Sequence, residues 1–348
     1  MEKLFEIANR IAKLEEERKS LAQTLRNQEF TLADSLEKDL FCKAQKIPLN
    51  CDVGAVDGGL LAQEFHGFDL LLVRAVGVVF KYQDSTVKSY KYHPHAIVEP
   101  ELDTLSALDS HDFLVHKGLT RLKKELSTAI ELVEKHLPNY LLLDGSIAPQ
   151  ISDKPGEDSE LRSLYNEVIH KFIQLYSTCE KNNVTLIGII KDSRAKRFIE
   201  SLSNVLNAAD TSILSQSNDT SFINFLLNEG ERTFAFSYTK DTKNHQALKE
   251  LRDWGSKINV FYLKPVINDR PLRVEFLVGA KTYDEIASLV YTLSGINKSY
   301  AYPAILIEAD LRAALDRREM DRVYRQLFTR TGMRSSVMKL RRDNRPFR

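Results

Sequence analysis

Two apolar runs, each ending in an aspartate and a small-residue turn, constrain this chain more than anything else in it: Val53-Gly54-Ala55-Val56-Asp57-Gly58-Gly59 and Tyr140-Leu141-Leu142-Leu143-Asp144-Gly145-Ser146. Runs of this length read as buried strands. A strand-end Asp sits at the carboxyl edge of a sheet, where open α/β sheets put their ligands. Asp-Gly is also a common turn dipeptide, so either copy alone could be a turn and no more. Two copies behind two apolar runs instead suggest paired carboxylates that invite a divalent cation. Glycine after each Asp predicts a sharp departure of the backbone and room for a bulky ligand.

The chain has 348 residues, enough for one large domain or two ordinary ones, and its 28% charged and 43% hydrophobic residues are an ordinary soluble mixture. No segment approaches the roughly 18 apolar residues of a membrane span. Met1-Glu2-Lys3-Leu4 opens directly into charged periodic sequence with no signal-peptide core, so a cytoplasmic location is expected. Cys42, Cys51 and Cys179 make neither a zinc pattern nor a disulfide frame, and no Ser or Cys sits in a nucleophile motif. His93, His95, His111 and His116 lack H-x-x-x-H spacing, which argues against a histidine-centred zinc site.

The net charge of +1 conceals an asymmetry. From Arg317 onward eleven Lys and Arg face three acids, so the residues before Arg317 carry an excess of negative charge. A basic tail that includes Arg341 and Arg342, beside an acidic body, suggests a polyanionic partner held near metal-binding carboxylates. The competing reading is a solvated, disordered tail.

Residues 2–26 repeat Leu4, Ile7, Ala8, Ile11, Leu14, Leu21 and Leu25 at helical spacing, an amphipathic helix outside the main α/β pattern. Strands are expected at 53–56 and 70–79, with a further one at 88–98. A long helix follows from about Asp112 to His136, and the second Asp strand comes next. Beyond it come a helix over 161–182 and a buried strand over 184–190. Lys191-Asp192-Ser193 then opens a basic helix through Arg194, Lys196 and Arg197. Residues 206–229 read as partly helical. Strands at 233–238, 260–264 and 272–278 precede a helix over 283–293, and one last helix runs from about Ile305 to Leu327. Helix alternating with strand predicts an α/β fold.

Two helix acids join the strand aspartates. Glu125 lies beside Gly118, Ala129 and Leu132 on a small apolar flank, where a charge needs a partner, so it is either a salt-bridged residue or a third ligand. Asp310 has Ile307, Ala313 and Ala314 as neighbours, an inward face for a charge, and competes with Glu308 and Asp316 for the role of fourth carboxylate. Four such acids could hold two hard cations, an arrangement suited to phosphodiester hydrolysis. Lys191 could contact the scissile phosphate or simply pair with a nearby acid. Arg194, Lys196 and Arg197 suit phosphate contacts or a solvated helix face.

Ala55-Val56-Asp57-Gly58-Gly59, the Glu125 helix leading into Leu142-Leu143-Asp144-Gly145-Ser146, Ile189-Ile190-Lys191-Asp192-Ser193, and Tyr302-Pro303 followed by Glu308-Ala309-Asp310 resemble, in that order, the motifs of the NurA nucleases. The resemblance implies a ribonuclease-H-like mixed β-sheet flanked by helices, with Piwi-like embellishment. It further implies Mn²⁺ (or Mg²⁺) at Asp57, Glu125, Asp144 and Asp310, the last in a position where many members carry His. It implies 5′ to 3′ exonuclease and single-strand endonuclease action in DNA end resection and double-strand break repair. The partners it implies are DNA, a HerA-type hexameric translocase and a second copy of the chain. The expected organisation is an N-terminal helical region over 1–45 for dimer or partner contact, a nuclease domain over 46–330 and the basic tail over 331–348. The alternative from another class is a non-catalytic, nuclease-like scaffold that couples DNA to a motor. A phosphatase of the aspartyl type is disfavoured, because neither Asp57-Gly58-Gly59 nor Asp144-Gly145-Ser146 supplies a second Asp two residues on.

Overall fold

A computed structural model describes residues 2–28, 35–106, 108–331 and 340. The two Asp-bearing runs lie side by side at the centre of one mixed sheet. Strand β2 (Asp52–Glu64) runs parallel to β6 (Tyr140–Asp144), with Val53 opposite Tyr140 and Val56 opposite Leu143. On its other edge β2 forms a long antiparallel hairpin with β3 (Phe68–Gln83), which continues into β4 (Thr86–His93). β7 (Thr185–Ile190) extends the parallel part beyond β6. The spatial order β4-β3-β2-β6-β7, a meander followed by two parallel crossovers, is the ribonuclease-H-like core that the motifs implied.

Beyond β7 the sheet turns antiparallel through β11 (Leu272–Leu277), β10 (Ile258–Lys264) with the short β9 (Phe236–Ser237) beside it, β8 (Glu231–Thr233) and β1 (Phe41–Lys43). The sequence reading missed β5 (Glu101–Ser106), which adds to the β3 edge. Its side chains are charged or half-exposed, so no apolar run announces it.

Helices cover both faces. α2 (Ser110–His136) and α3 (Arg162–Lys181) pack on one face against Val56, Leu141 and Leu143. Asp109 caps α2 by accepting from the His111 and Asp112 backbone N–H groups, and the helix ends at Leu137, in the left-handed region, because Pro138 cannot continue it. α7 (Tyr283–Ser294) and α8 (Ala304–Ala313) cover the opposite face, against Val53, Ala55 and Leu142. Strand alternation therefore sends Val56 and Gly58 toward α2, and Ala55 and Asp57 toward α8.

The amphipathic helix is α1 (Glu2–Arg26), and its second half is docked on its own chain. Leu21, Ala22 and Leu25 join a core with α4 (Arg197–Ser203), α5 (Ala208–Ser215) and α6 (Asp219–Leu226), while Arg18 donates to Ser217 Oγ at 2.7 Å and Arg26 to Glu231 at 2.6 Å. Its first half leaves Leu4, Phe5, Ile7 and Ile11 exposed.

Three sequence expectations need correction here. Asp57 does not end its strand: β2 keeps β3 as a partner past the point where β6 stops, so Gly58 and Gly59 stay extended opposite Ala75 and Arg74. Only Gly145, at φ 137°, makes the expected turn. Second, the basic helix begins at Arg197 and not before, because buried Asp219 accepts from the Phe198 and Ile199 N–H groups and fixes the helix start there. Third, the last helix is two, α8 and α9 (Arg317–Thr331). The break has a distant cause. Arg74 on β3 donates to the Ala313 and Ala314 carbonyls and pairs with Glu319 at 3.2 Å, while Asp316 N–H bonds Glu319 and starts α9. The tail residues Arg341 and Arg342 lie outside the described residues.

Candidate functional site

The site grows from the register of three strands. Val56 pairs with Leu143, so the next residues, Asp57 and Asp144, emerge together on the α8 face where β6 ends. Leu143 pairs with Gly188 and Asp144 with Ile189, and Lys191 follows just beyond β7 on the same face. Lys191 Nζ donates to Asp144 Oδ2 at 3.0 Å and lies 3.9 Å from the centre of the Tyr302 ring. Tyr302, buried at the start of α8, donates its hydroxyl to Asp144 Oδ1 at 2.6 Å. Asp144 is thus held at both oxygens by groups from two other segments.

Asp310 on α8 stands close enough to Asp57 to help raise its pKa. Its own side chain is exposed, not inward as the helix periodicity suggested. Glu125 arrives from the other face. Gly58 on β2 faces α2, and a Cβ built there would come within 2.6 Å of Glu125 Cγ and Oε1. The expected room for a bulky ligand at Gly58 is therefore room for a carboxylate. Gly59 serves α8 in the same way, since a Cβ there would lie 2.0 Å from the Ala313 carbonyl oxygen.

Clustering of acids out of water shows in their protonation. Burial first, then the Asp144 charge and Asp310, push the Asp57 carboxyl up to about 7, against a hydrogen bond from the Gly58 N–H. Burial pushes Glu125 up to about 8, with Asp57 and Asp144 adding to the rise and Arg121 opposing it. Burial disfavours the Lys191 ammonium, but the hydrogen bond and charge of Asp144, with Tyr300 and Asp310, outweigh it and its pKa is raised. Burial and Asp144 together hold the Tyr302 hydroxyl protonated, well above the usual tyrosine range.

Glu125 Oε1 is buried and has no hydrogen-bond partner among the described residues. Arg121 Nε forms an ion pair with it at 3.3 Å, the salt-bridged alternative of the sequence reading, but without hydrogen-bond geometry. A buried oxygen left without a hydrogen bond costs free energy unless something binds it. Hard oxygen donors on Asp57, Glu125, Asp144 and Asp310, with that orphaned atom among them, fit a divalent cation in kind. No three His, Cys, Asp or Glu side chains among the described residues stand arranged to hold one as they are.

The other predicted phosphate contacts fall on a neighbouring surface. Arg194 is exposed and lines a polar cavity of about 590 Å³ with Glu15, Asp192, Asn218, Asn224 and Arg270. Lys196 bonds the Ser215 carbonyl, and Arg197 bonds Ser201 Oγ. Glu308, a competitor for the fourth acid, is taken by Tyr92 at 2.6 Å and Arg312 at 2.8 Å. Asp316 accepts from the Arg318 N–H at the start of α9. Tyr302 stood in a quoted motif without a role: its place before Pro303 marks a helix start, and nothing local says where its hydroxyl points.

Fold and site together define an α/β protein with a carboxylate cluster where its parallel strands end. Residues 51–315 match the NurA domain, more than half of the chain, and the chain belongs to the NurA family. Among solved structures it is similar to the NurA nuclease from Sulfolobus solfataricus, with a TM-score of 0.61 and 19% identity over 94% of this chain and 95% of that one. It is also similar to a NurA crystal structure with manganese, at a TM-score of 0.56 and 9% identity over 98% of this chain and 100% of that one. Among curated proteins no sequence matches it significantly. No helix among the described residues is long and apolar enough to cross a membrane.

Proposed function

We propose that this chain is a divalent-metal-dependent DNA nuclease, with Asp57, Glu125, Asp144 and Asp310 holding Mn²⁺ or Mg²⁺. The observation that carries the reading is the convergence of Asp57, Asp144 and Glu125 where the parallel strands end, with Asp310 near enough to add its charge to Asp57: burial and the neighbouring acids raise Asp57 and Glu125 into the neutral range, and one Glu125 oxygen is buried without a hydrogen bond. Excess negative charge held out of water is costly in an empty fold and is relieved by a bound cation. The manganese bound by a similar NurA structure points to the same class of ligand.

A bound divalent cation supplies Lewis-acid stabilisation of the charge that develops at a phosphodiester and lowers the pKa of water. The chain's own groups do the rest. Tyr302 and Lys191 fix both oxygens of Asp144, so that carboxylate is pre-oriented. Lys191, paired with Asp144, would be the cationic group next to the acids to meet a phosphate oxygen. No Ser or Cys of the chain sits in a nucleophile motif, which favours attack by water without a covalent intermediate. Arg194, Lys196 and Arg197 would carry the strand away from the acids through phosphate contacts.

The family resemblance extends the reading to 5′ to 3′ exonuclease and single-strand endonuclease action in DNA end resection, in the cytoplasm, as a homodimer working with a HerA-type translocase. The absence of a ready-made three-ligand arrangement among the described residues favours the second reading, a DNA-binding scaffold. Purified protein with Mn²⁺ and labelled single-stranded DNA separates the two. Cleavage that disappears in Asp57→Ala, with the fold retained, is the expected result; binding without cleavage by the parent protein leaves the scaffold.

A further inference from the structure

The turn that carries Asp144 is gripped from the sheet face opposite its carboxylate. After Asp144 the backbone folds over Gly188 of β7, where a Cβ would lie 2.5 Å from the Gly145 carbonyl oxygen and 3.0 Å from Ile147 N. Glu275 on β11 stands opposite Gly188 in the register, and with no side chain at Gly188 it reaches across that strand. Its Oε2 accepts from Ser146 Oγ at 2.6 Å and from Ile147 N–H at 3.2 Å. Oε1 accepts from Arg273 Nε at 2.8 Å. Arg273 also donates to the Tyr262 hydroxyl at 3.3 Å, and that hydroxyl donates to Asp219 Oδ2 at 2.9 Å.

Glu275 is 1% and Arg273 5% exposed. A buried ion pair is a poor source of stability, since apolar residues of similar volume do as well or better. What this pair does that apolar residues could not is satisfy a hydroxyl and an N–H in the turn directly after Asp144. We propose that Glu275, oriented by Arg273, is a positioning residue that sets the Asp144 turn and so the metal affinity and turnover of the site. Asp219 ties the same chain of bonds to the start of α4, so the segment after Lys191 and the turn after Asp144 share one buried anchor. The proposal rests on Asp144 belonging to the metal site, as argued above.

Three variants of the full chain test it. Arg273→Met with Glu275→Leu removes the clamp without stranding a charge. Arg273→Met with Glu275→Gln removes the charges but keeps a carbonyl acceptor for Ser146. Ser146→Ala removes only the hydroxyl and decides the matter alone if the double variants do not fold. Circular dichroism monitors folding, calorimetric titration with Mn²⁺ alone gives metal affinity, and cleavage of labelled single-stranded DNA gives kcat and KM. Orienting groups behind metal ligands typically matter by about 10- to 100-fold. The Leu variant and Ser146→Ala should lose Mn²⁺ affinity and kcat on that scale, with KM for DNA unchanged and the Gln variant recovering most of both. Parent-like affinity and kcat in a folded Leu variant or in Ser146→Ala, or a Gln variant no better than the Leu one, would overturn the proposal. Asp144→Asn separates this from failure of the site itself: full cleavage by that variant overturns the site reading.

Discussion

Glu125 occupies the space that a Cβ on Gly58 would need, with Cγ and Oε1 each within 2.6 Å of it. The strand aspartates and the helix glutamate come from opposite faces of the sheet. They meet because one residue between them has no side chain.

Gly58→Ala should therefore displace Glu125 while leaving the strand extended. Cleavage should fall by about 100-fold, the typical cost of moving a catalytic group by an ångström. Overpacking should cost no more than about 3 kcal/mol in urea unfolding. Parent-like turnover in this variant would mean that Glu125 has no part in the chemistry.

The metal-free protein should lose stability with rising pH across the neutral range. Asp57 rises from an ordinary 3.8 to about 7 and Glu125 from 4.5 to about 8 on folding. The folded state therefore binds more protons than the unfolded one between those values. The stability this gives is fully present below the unfolded pKa and is lost as pH climbs through the folded one. In chelator, thermal midpoints should decline from pH 4 to 8 in the parent and decline less in Asp57→Asn. Parallel curves for the two proteins would sink the assignment.

Arg74→Met should undo the turn between α8 and α9. The guanidinium holds the Ala313 and Ala314 carbonyls, the Val98 carbonyl and Glu319 at once, and it is 8% exposed. Its removal strands several of these acceptors, for a loss of about 2 kcal/mol or more. Because α8 carries Asp310, cleavage should fall as well. Unchanged stability would show that α8 and α9 are parted by something other than this side chain.

Charge on the surface beyond Lys191 should register in the salt dependence of DNA binding. Arg194→Ala should lower the slope of log K against log salt by about 1 if it meets a phosphate, and removal of the residues after Arg334 should flatten it further. A slope that neither change moves would assign both segments to something other than the DNA backbone.

Much of this was legible in the sequence, and what was not has identifiable causes. The apolar periodicity of α2 placed Glu125 on a small-residue flank, and packing on Gly58 is what that flank reflects. Asp57 read as a strand end because Gly58 and Gly59 add no pattern of their own, while the partner that keeps them extended, β3, lies elsewhere in the sequence. The helix break at Ala314 has one faint local signal, Asp316 with Glu319 three residues on, and the partner that holds the break open sits on β3, far away in the sequence. Asp310 was placed inward on neighbour identity, but a helix can bury a face of small residues and leave its charge in solvent.

β2 and β3 run on after β6 has stopped. From Asp57 to Glu64 the strand extends about 23 Å at the usual strand rise, and α9 stiffens this arm by packing Met320, Val323, Tyr324 and Phe328 against Phe65, Phe68, Leu70 and Leu72. The acids thus stand at the foot of a fence on one side, with the short Gly145 turn and Lys191 on the other. The acids are therefore flanked unequally, by a long paired arm on one side and a single short turn on the other.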